Sequence, residues 1–460
     1  MKRYLRATFK SLRHRNYRLY FGGQTTSITG SWMQKVAQAW LVLELTDSGT
    51  LLGVTAALQH LPTLLMGPWG GLLADRLDKR RILIWTQSAA AVPALLLGVL
   101  TATDLVTLWM VLALALALGL VEALDKPARH SFVIEMVGPQ HVTNAVALNN
   151  IVLNAGKVVG PALAGVLIST VGLASTFLLN AASYLAIVAA LLLMRSDQLH
   201  AAPRAQRGPG QLRAGLRYVR HQPDLLGPLA LMTVSGLLAY EWIVTIPLFA
   251  RHTFDGDARV VGLMFTVMGA GAVIGGLVVA GTLRATANRL VATGVAFSAV
   301  LIGVAGSPTV AVAFVLLFVL GGTSVAFRAV GTALVQLRAD PEMRGRAMSL
   351  LIVAVTGTTP VGGPLVGWVG ETFGPRAVLG LGGLATALAA AGMWLYIRRG
   401  DRVSARVLAE DQRLDRHRYG PGRMPDAAKV DVVEVPEAKA VEGNQVTRES
   451  ELIMKDRAQA

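Results

Sequence analysis

The sequence predicts an all-α membrane protein, twelve transmembrane helices in two pseudo-symmetric halves of six, and three observations predict it. Twelve apolar runs follow one another along the chain, each near the roughly 20 residues that a helix needs to cross a hydrocarbon core of about 30 Å. Basic residues gather in every second loop, while the opposite loops carry Glu44, Asp47, Asp104, Asp255 and Asp257. A shift of about 202 lays the first half on the second: Val133 on Val335, Pro139 on Pro341, Ala145 on Ala347, Leu148 on Leu350, Gly160 on Gly362, Leu163 on Leu365, Gly165 on Gly367 and Gly172 on Gly374.

Composition excludes several other classes. Hydrophobic residues make up 53% of the 460 and charged residues only 15%, a balance that marks a polytopic membrane chain. The net charge of +15 would suggest nucleic acid in a soluble protein. Here the orientation rule accounts for it, so no nucleic-acid partner is expected. With no cysteine, disulfides, thiolate metal sites and cysteine nucleophiles are excluded. His14 and His60 have no partner at metal-ligand spacing and no phosphate-binding Walker loop is present, so neither metal, cofactor nor enzymatic activity is expected.

In chain order, residues 1–16 carry Lys2, Arg3, Arg6, Lys10, Arg13 and Arg15 without a small-residue cleavage site, which reads as a retained cytoplasmic segment. The first bundle, 17–194, has spans near 17–43, 49–73, 81–102, 105–127, 140–168 and 172–194. Residues 195–223 form a basic linker in which Leu212, Leu216 and Val219 fall at helical spacing, predicting an amphipathic surface helix. The second bundle, 224–397, has spans near 224–250, 258–283, 289–307, 309–336, 344–370 and 374–397. From 398 to 460 an arginine-rich start gives way to Asp, Glu, Pro and Ala with few aromatics, and a disordered cytoplasmic tail is expected. Both termini are then cytoplasmic.

Some residues inside these spans can carry transport. Intramembrane charges are costly and usually paired or functional. Lys35 and Glu241 lie at similar depths in the first and seventh spans, which suggests a proton-sensitive outer gate; Lys35 could instead snorkel while Glu241 faces water. Glu122, Asp125, Lys126 and Arg129 end the fourth span. The repeat puts Lys126 on Arg328, so an inner gate can join Glu122 or Asp125 to Arg328, unless this basic group only sets topology. Gln34, Gln38, Trp40, Asn149, Asn150, Asn154 and Lys157 are candidate substrate-cavity contacts, with helix gluing the alternative for each polar one and snorkelling for Lys157.

Gly71, Leu73, Asp75, Arg76, Lys79 and Arg80 resemble the cytoplasmic motif between the second and third spans of the major facilitator superfamily, with Asp78 where that family has glycine. The second copy has Arg284 in place of Asp75, so the regulatory latch is assigned to the first. Gly156, Gly160, Pro161 and Gly165 resemble the antiporter motif of that superfamily's exporters, with Ala164 and Ala147 replacing glycines. Arg15-Asn-Tyr-Arg-Leu-Tyr-Phe21, Trp32-Met-Gln-Lys-Val-Ala-Gln-Ala-Trp40, Lys126-Pro-Ala-Arg129, Asn144-Ala-Val-Ala-Leu-Asn149 and Arg344-Gly-Arg-Ala-Met-Ser349 are similar to its enterobactin-exporter and macrolide-efflux branch. The resemblance covers about residues 9 to 397. It implies the major facilitator fold, a bacterial inner-membrane monomer, and export of a small amphiphilic or drug-like molecule coupled to protons. Uptake or lipid transport on the same scaffold is one alternative, and a sensor or assembly protein acting through its tail is another.

Overall fold

A computed structural model describes residues 10–200, 211–282 and 285–419. The first half contains α1 (Arg15–Thr46), α2 (Gly49–Arg76), α3 (Lys79–Ala102), α4 (Leu108–Val137), α5 (Val142–Thr170) and α6 (Leu173–Leu192). The amphipathic α7 (Gln211–Arg220) precedes the second half: α8 (Pro223–Ala239), α9 (Trp242–Phe254), α10 (Ala258–Thr282), α11 (Ala287–Ala305), α12 (Val310–Arg338), α13 (Arg344–Thr356), α14 (Thr359–Phe373) and α15 (Pro375–Tyr419). Among the described residues, ten segments are long and apolar enough to cross a bilayer, counting α8–α9 and α13–α14 as one each. α1 and α2 pack among them.

Local chemistry fixes the helix ends. Ser48, Asp78, Thr286 and Thr309 each accept a hydrogen bond from the backbone N–H three residues on, satisfying one of the donors that every helix start leaves orphaned. Asp78 and Thr286 cap equivalent helices of the two halves. The turn into α3 is therefore an N-cap with φ −62°, a conformation that needs no glycine. On the acidic-loop face, Asp47, Asp104 and Asp255 adopt φ of 50–55°, the left-handed region that Asp tolerates better than most side chains.

Two expected spans are interrupted. The seventh breaks at Tyr240–Glu241 and the eleventh at Gly357–Thr358. Gly357 and Pro360 explain the second break, since one favours a helix end and the other a helix start. The last helix continues to Tyr419, past the 397 expected; residues 420–460 lie outside the described residues.

Within the first half α2 packs on α4, α3 on α6, and α1 on both α5 and α6; within the second, α10 and α11 pack on α12, and α8 on α13. Two seams join the halves, α2 against α14 and α5 against α10. Both are built on small residues. A Cβ on Gly49 would lie 2.6 Å from the Gly367 carbonyl oxygen, and one on Gly262 2.6 Å from that of Pro161. Such close backbone approach is how transmembrane helices gain packing energy without a hydrophobic drive.

Candidate functional site

Near the middle of the bundle, α1 presents Trp32 and, one turn on, Lys35. The Lys35 ammonium lies 5.1 Å from the Trp32 ring centre and 3.8 Å from Glu122 Oε1 on α4. Lys126, one turn beyond Glu122, bonds its other oxygen at 2.6 Å. Lys157 of α5 reaches the same Trp32 ring at 5.8 Å, within electrostatic range of both Lys35 and Arg328. Arg328, on α12 of the other half, stands 5.4 Å over Tyr240, whose hydroxyl donates to the Ser324 carbonyl at 2.9 Å. Tyr240 continues into a stack with Phe297 and Phe327. Lys157 and Arg328 are exposed although both lie within apolar spans.

These positions correct the expected charge pairs. Lys35 pairs with Glu122 of its own half, not with Glu241. Glu241 is 5% exposed at the break between α8 and α9, and its carboxylate accepts from Thr359 and faces Gly362 of α14. The inner gate, expected only when the other end opens, is not formed in this state. Asp125 is buried against Thr86 (2.8 Å), Gln87 (2.6 Å) and Arg129, so the Thr86 and Gln87 bonds to Asp125 tie α4 to α3. Arg328 instead covers Tyr240.

The acidic-loop end is closed across the halves. Arg251 of α9 bonds Asp47 at 2.9 Å and lies 5.5 Å from the Trp40 ring; Trp40 donates to Glu44 at 2.6 Å. Glu371 accepts from the Ser48 hydroxyl (2.7 Å), the Thr50 N–H (2.9 Å) and the Thr50 hydroxyl (2.7 Å). Beneath this rim an apolar plug draws Leu41, Leu52 and Ala56 from one half and Val244, Leu248 and Val366 from the other. The polar rim is exposed and contributes little on its own, whereas the plug and the glycine seams exclude water.

The other predicted residues take the following places. Gln34 accepts from Asn180 at 2.5 Å and Gln38 from Gln59 at 2.9 Å; with Trp40 in the closed rim, these three do not open on a central cavity. Asn149 is buried, and exposed Asn154 bonds back to the Asn150 carbonyl at 3.0 Å. Gly156 seats on Ile28 and Gly160 on Thr29 and Trp32, whereas Gly165 meets Ala258, Arg259 and Gly262 of the second half. In the basic-loop motif Lys79 bonds Glu135 at 2.6 Å. Arg80 donates to the carbonyls of Leu191 (2.7 Å) and Leu192 (3.0 Å) at the end of α6, where a cation also complements the helix dipole. Arg76 is exposed, and the side chains of Gly71 and Asp75 lie outside the described residues.

Trp32, Tyr240, Arg251 and Glu371 did not stand out in the sequence. Trp32 had one legible signal, its position a single turn before Lys35. Arg251 lies on the acidic-loop face, at the start of a connection that also carries Asp255 and Asp257.

The profile of a family described as "Transmembrane secretion effector" matches residues 6–416. The staphyloferrin A transporter of Staphylococcus aureus (strain NCTC 8325 / PS 47) is 23% identical over 80% of this chain and 92% of its own length. An enterobactin exporter of Citrobacter koseri (strain ATCC BAA-895 / CDC 4225-83 / SGSC4696) is 25% identical over 82% and 90%. Among solved structures, a bacterial homolog of the human lysosomal transporter Spinster, inward-facing and unoccupied, superposes with a TM-score of 0.67 at 15% identity over 83% of this chain and 97% of that one. At that identity the likeness speaks for the fold.

Proposed function

This chain belongs to the transmembrane secretion effector family of the major facilitator superfamily, and from that premise we propose that it exports a small amphiphilic molecule in exchange for protons by alternating access. It is a multi-pass membrane transporter, not an enzyme. The observation that carries the proposal is the asymmetry of the two ends. Rim contacts, an apolar plug and glycine seams hold the halves together at the acidic-loop end, while charged side chains at mid-depth stay exposed. One shut mouth and one mid-membrane charged site are what alternating access requires of a single state.

On this reading the basic-loop side is cytoplasmic, with both termini, in a bacterial inner membrane. The resting state loads from the cytoplasm. As the open mouth closes without cargo, Arg328 leaves Tyr240 for Glu122, the carboxylate not already committed to Arg129. Glu241, buried where the seventh span breaks, takes and releases the coupling proton, and its bond to α14 links that event to the α2–α14 seam.

Compounds are screened in an efflux-deficient host with and without this chain, and hits are then tested in inverted vesicles. Acid-interior vesicles accumulate the substrate if the reading holds; accumulation indifferent to the pH gradient overturns the coupling. Glu241→Gln retains substrate binding and loses the pH dependence. Truncation after residue 403 leaves flux largely intact, whereas a sensor acting through its tail would lose activity.

A further inference from the structure

We propose that the cargo is an organic anion, an acidic group on an aromatic or apolar body, gripped between Lys157 of the first half and Arg328 of the second. The inference rests on the transport reading above and adds the charge class of the substrate.

At the centre Lys35 and Lys126 face one carboxylate, Glu122, and two further cations, Lys157 and Arg328, lie within electrostatic range of each other. Asp125 is neutralised by Arg129, and the Glu241 carboxylate turns to Thr359 and Gly362. His60, on α2, faces the Lys35–Glu122–Lys126 group and spends its Nδ1 on the Ala56 carbonyl at 3.0 Å. Lys157 and Arg328 therefore form no ion pair among the described residues.

Each of the two cations lies against a ring of the protein. Lys157 lies over Trp32 of a neighbouring helix and within electrostatic range of residues from both halves, and Arg328 lies over Tyr240. Uncompensated cations within apolar spans are costly, and two that repel each other across the seam between the halves hold the open mouth apart. An anion placed between them removes both penalties. Because its two partners sit on different halves, it also draws the halves together, so loading favours closure beside the cargo-free route through Glu122. The rings beside each cation, Trp32 on one side and Tyr240 backed by Phe297 on the other, offer flat apolar faces to the body of the same molecule.

Fluorescein and rhodamine 123 share a xanthene skeleton and differ in charge, so they serve as matched probes of the purified full-length chain, by fluorescence anisotropy in detergent and by flux in proteoliposomes. The expected result is tighter binding of fluorescein, weakened by about tenfold, or ~1.4 kcal/mol, in Lys157→Gln and in Arg328→Gln, and largely retained in Lys157→Arg. Neither glutamine variant lowers the melting temperature of the empty protein, because each removes an unpaired charge. On the unsubstituted chain, benzoate displaces bound fluorescein and benzamidine, its cationic counterpart, does not; this comparison needs no variant to fold. Rhodamine 123 flux without fluorescein binding would overturn the inference and leave the export reading standing. Fluorescein binding that depends on Lys157, with no gradient-driven flux of either dye, would support the inference and sink export. Binding of neither dye, or binding indifferent to both glutamine variants, would overturn the inference.

Discussion

A single methyl group at Gly53 should shift the balance between the two states of this transporter. In the structure a Cβ at that position would meet the Gly363 carbonyl group and lie 2.7 Å from the Pro364 nitrogen. All of these are backbone atoms, so no side-chain rotation relieves the overlap. Ordinary contact requires α2 and α14 to separate by roughly 1 Å, and forced overpacking of this kind costs about 1–3 kcal/mol. The cost applies only while the acidic-loop mouth is shut, so Gly53→Ala enriches the opposite state by roughly 5- to 150-fold. The chain has no native cysteine, so a cysteine at Ala56, 5% exposed in the plug beneath the seam, reports opening cleanly. Its maleimide labelling rate should rise by that factor in Gly53→Ala. Gly67→Ala is the control on the same helix, because nothing lies within 4 Å of its Cβ position. Equal labelling in the Gly53 and Gly67 variants would refute the claim that glycine contacts hold this end closed.

The rim is weaker than the seam. Arg251→Gln removes an ion pair whose side chains are 31% and 61% exposed, so labelling at position 56 should rise only about two- to fivefold, the effect of at most ~1 kcal/mol, and high salt should mimic it. Arg80→Ala strips two donors from the carbonyls ending α6 and a third from the Ser196 hydroxyl and should destabilise the first half by about 1–2 kcal/mol, measured by thermal unfolding, with Arg80→Lys recovering part of the loss. His14 has its pKa lowered by burial and by the nearby His141 and His200 rings. The unfolded chain therefore takes the proton more readily, so the stability that neutral His14 contributes is full above pH 6.5 and falls as pH drops below that value. Amide exchange of residues 11–20 should quicken in that window, and His14→Gln should flatten the dependence.

Length and charge periodicity were enough to read a helical fold of many spans, ten of them long and apolar enough to cross a bilayer among the described residues, because crossing a bilayer constrains every span alike. The basic-loop motif was legible as a cluster, but not its chemistry: Lys79 goes to Glu135 and Arg80 to the carbonyls ending α6, partners set by tertiary packing. The same limit explains Lys35. Depth along a helix was readable, but its rotation was not, and rotation turned Lys35 toward α4 instead of Glu241. The breaks at Tyr240–Glu241 and Gly357–Thr358 were hidden inside continuous hydropathy, although Gly357 and Pro360 in the eleventh span carried a breaker signal. Gln34 and Gln38 could be cavity or glue on sequence grounds; in this state their Oε1 atoms accept from Asn180 and Gln59 while each Nε2 is buried without a partner among the described residues.

The claim that the halves rock about a central site is tested most directly by paired distances. Spin labels at Asp104 and Pro308 probe the acidic-loop face, and labels at Gln140 and Glu342 probe the basic-loop face; all four residues are exposed. Double electron–electron resonance should show the first distance lengthening and the second shortening together when Gly53→Ala is introduced. Two distances that stay unimodal and unmoved, or that change in the same sense, would contradict the account.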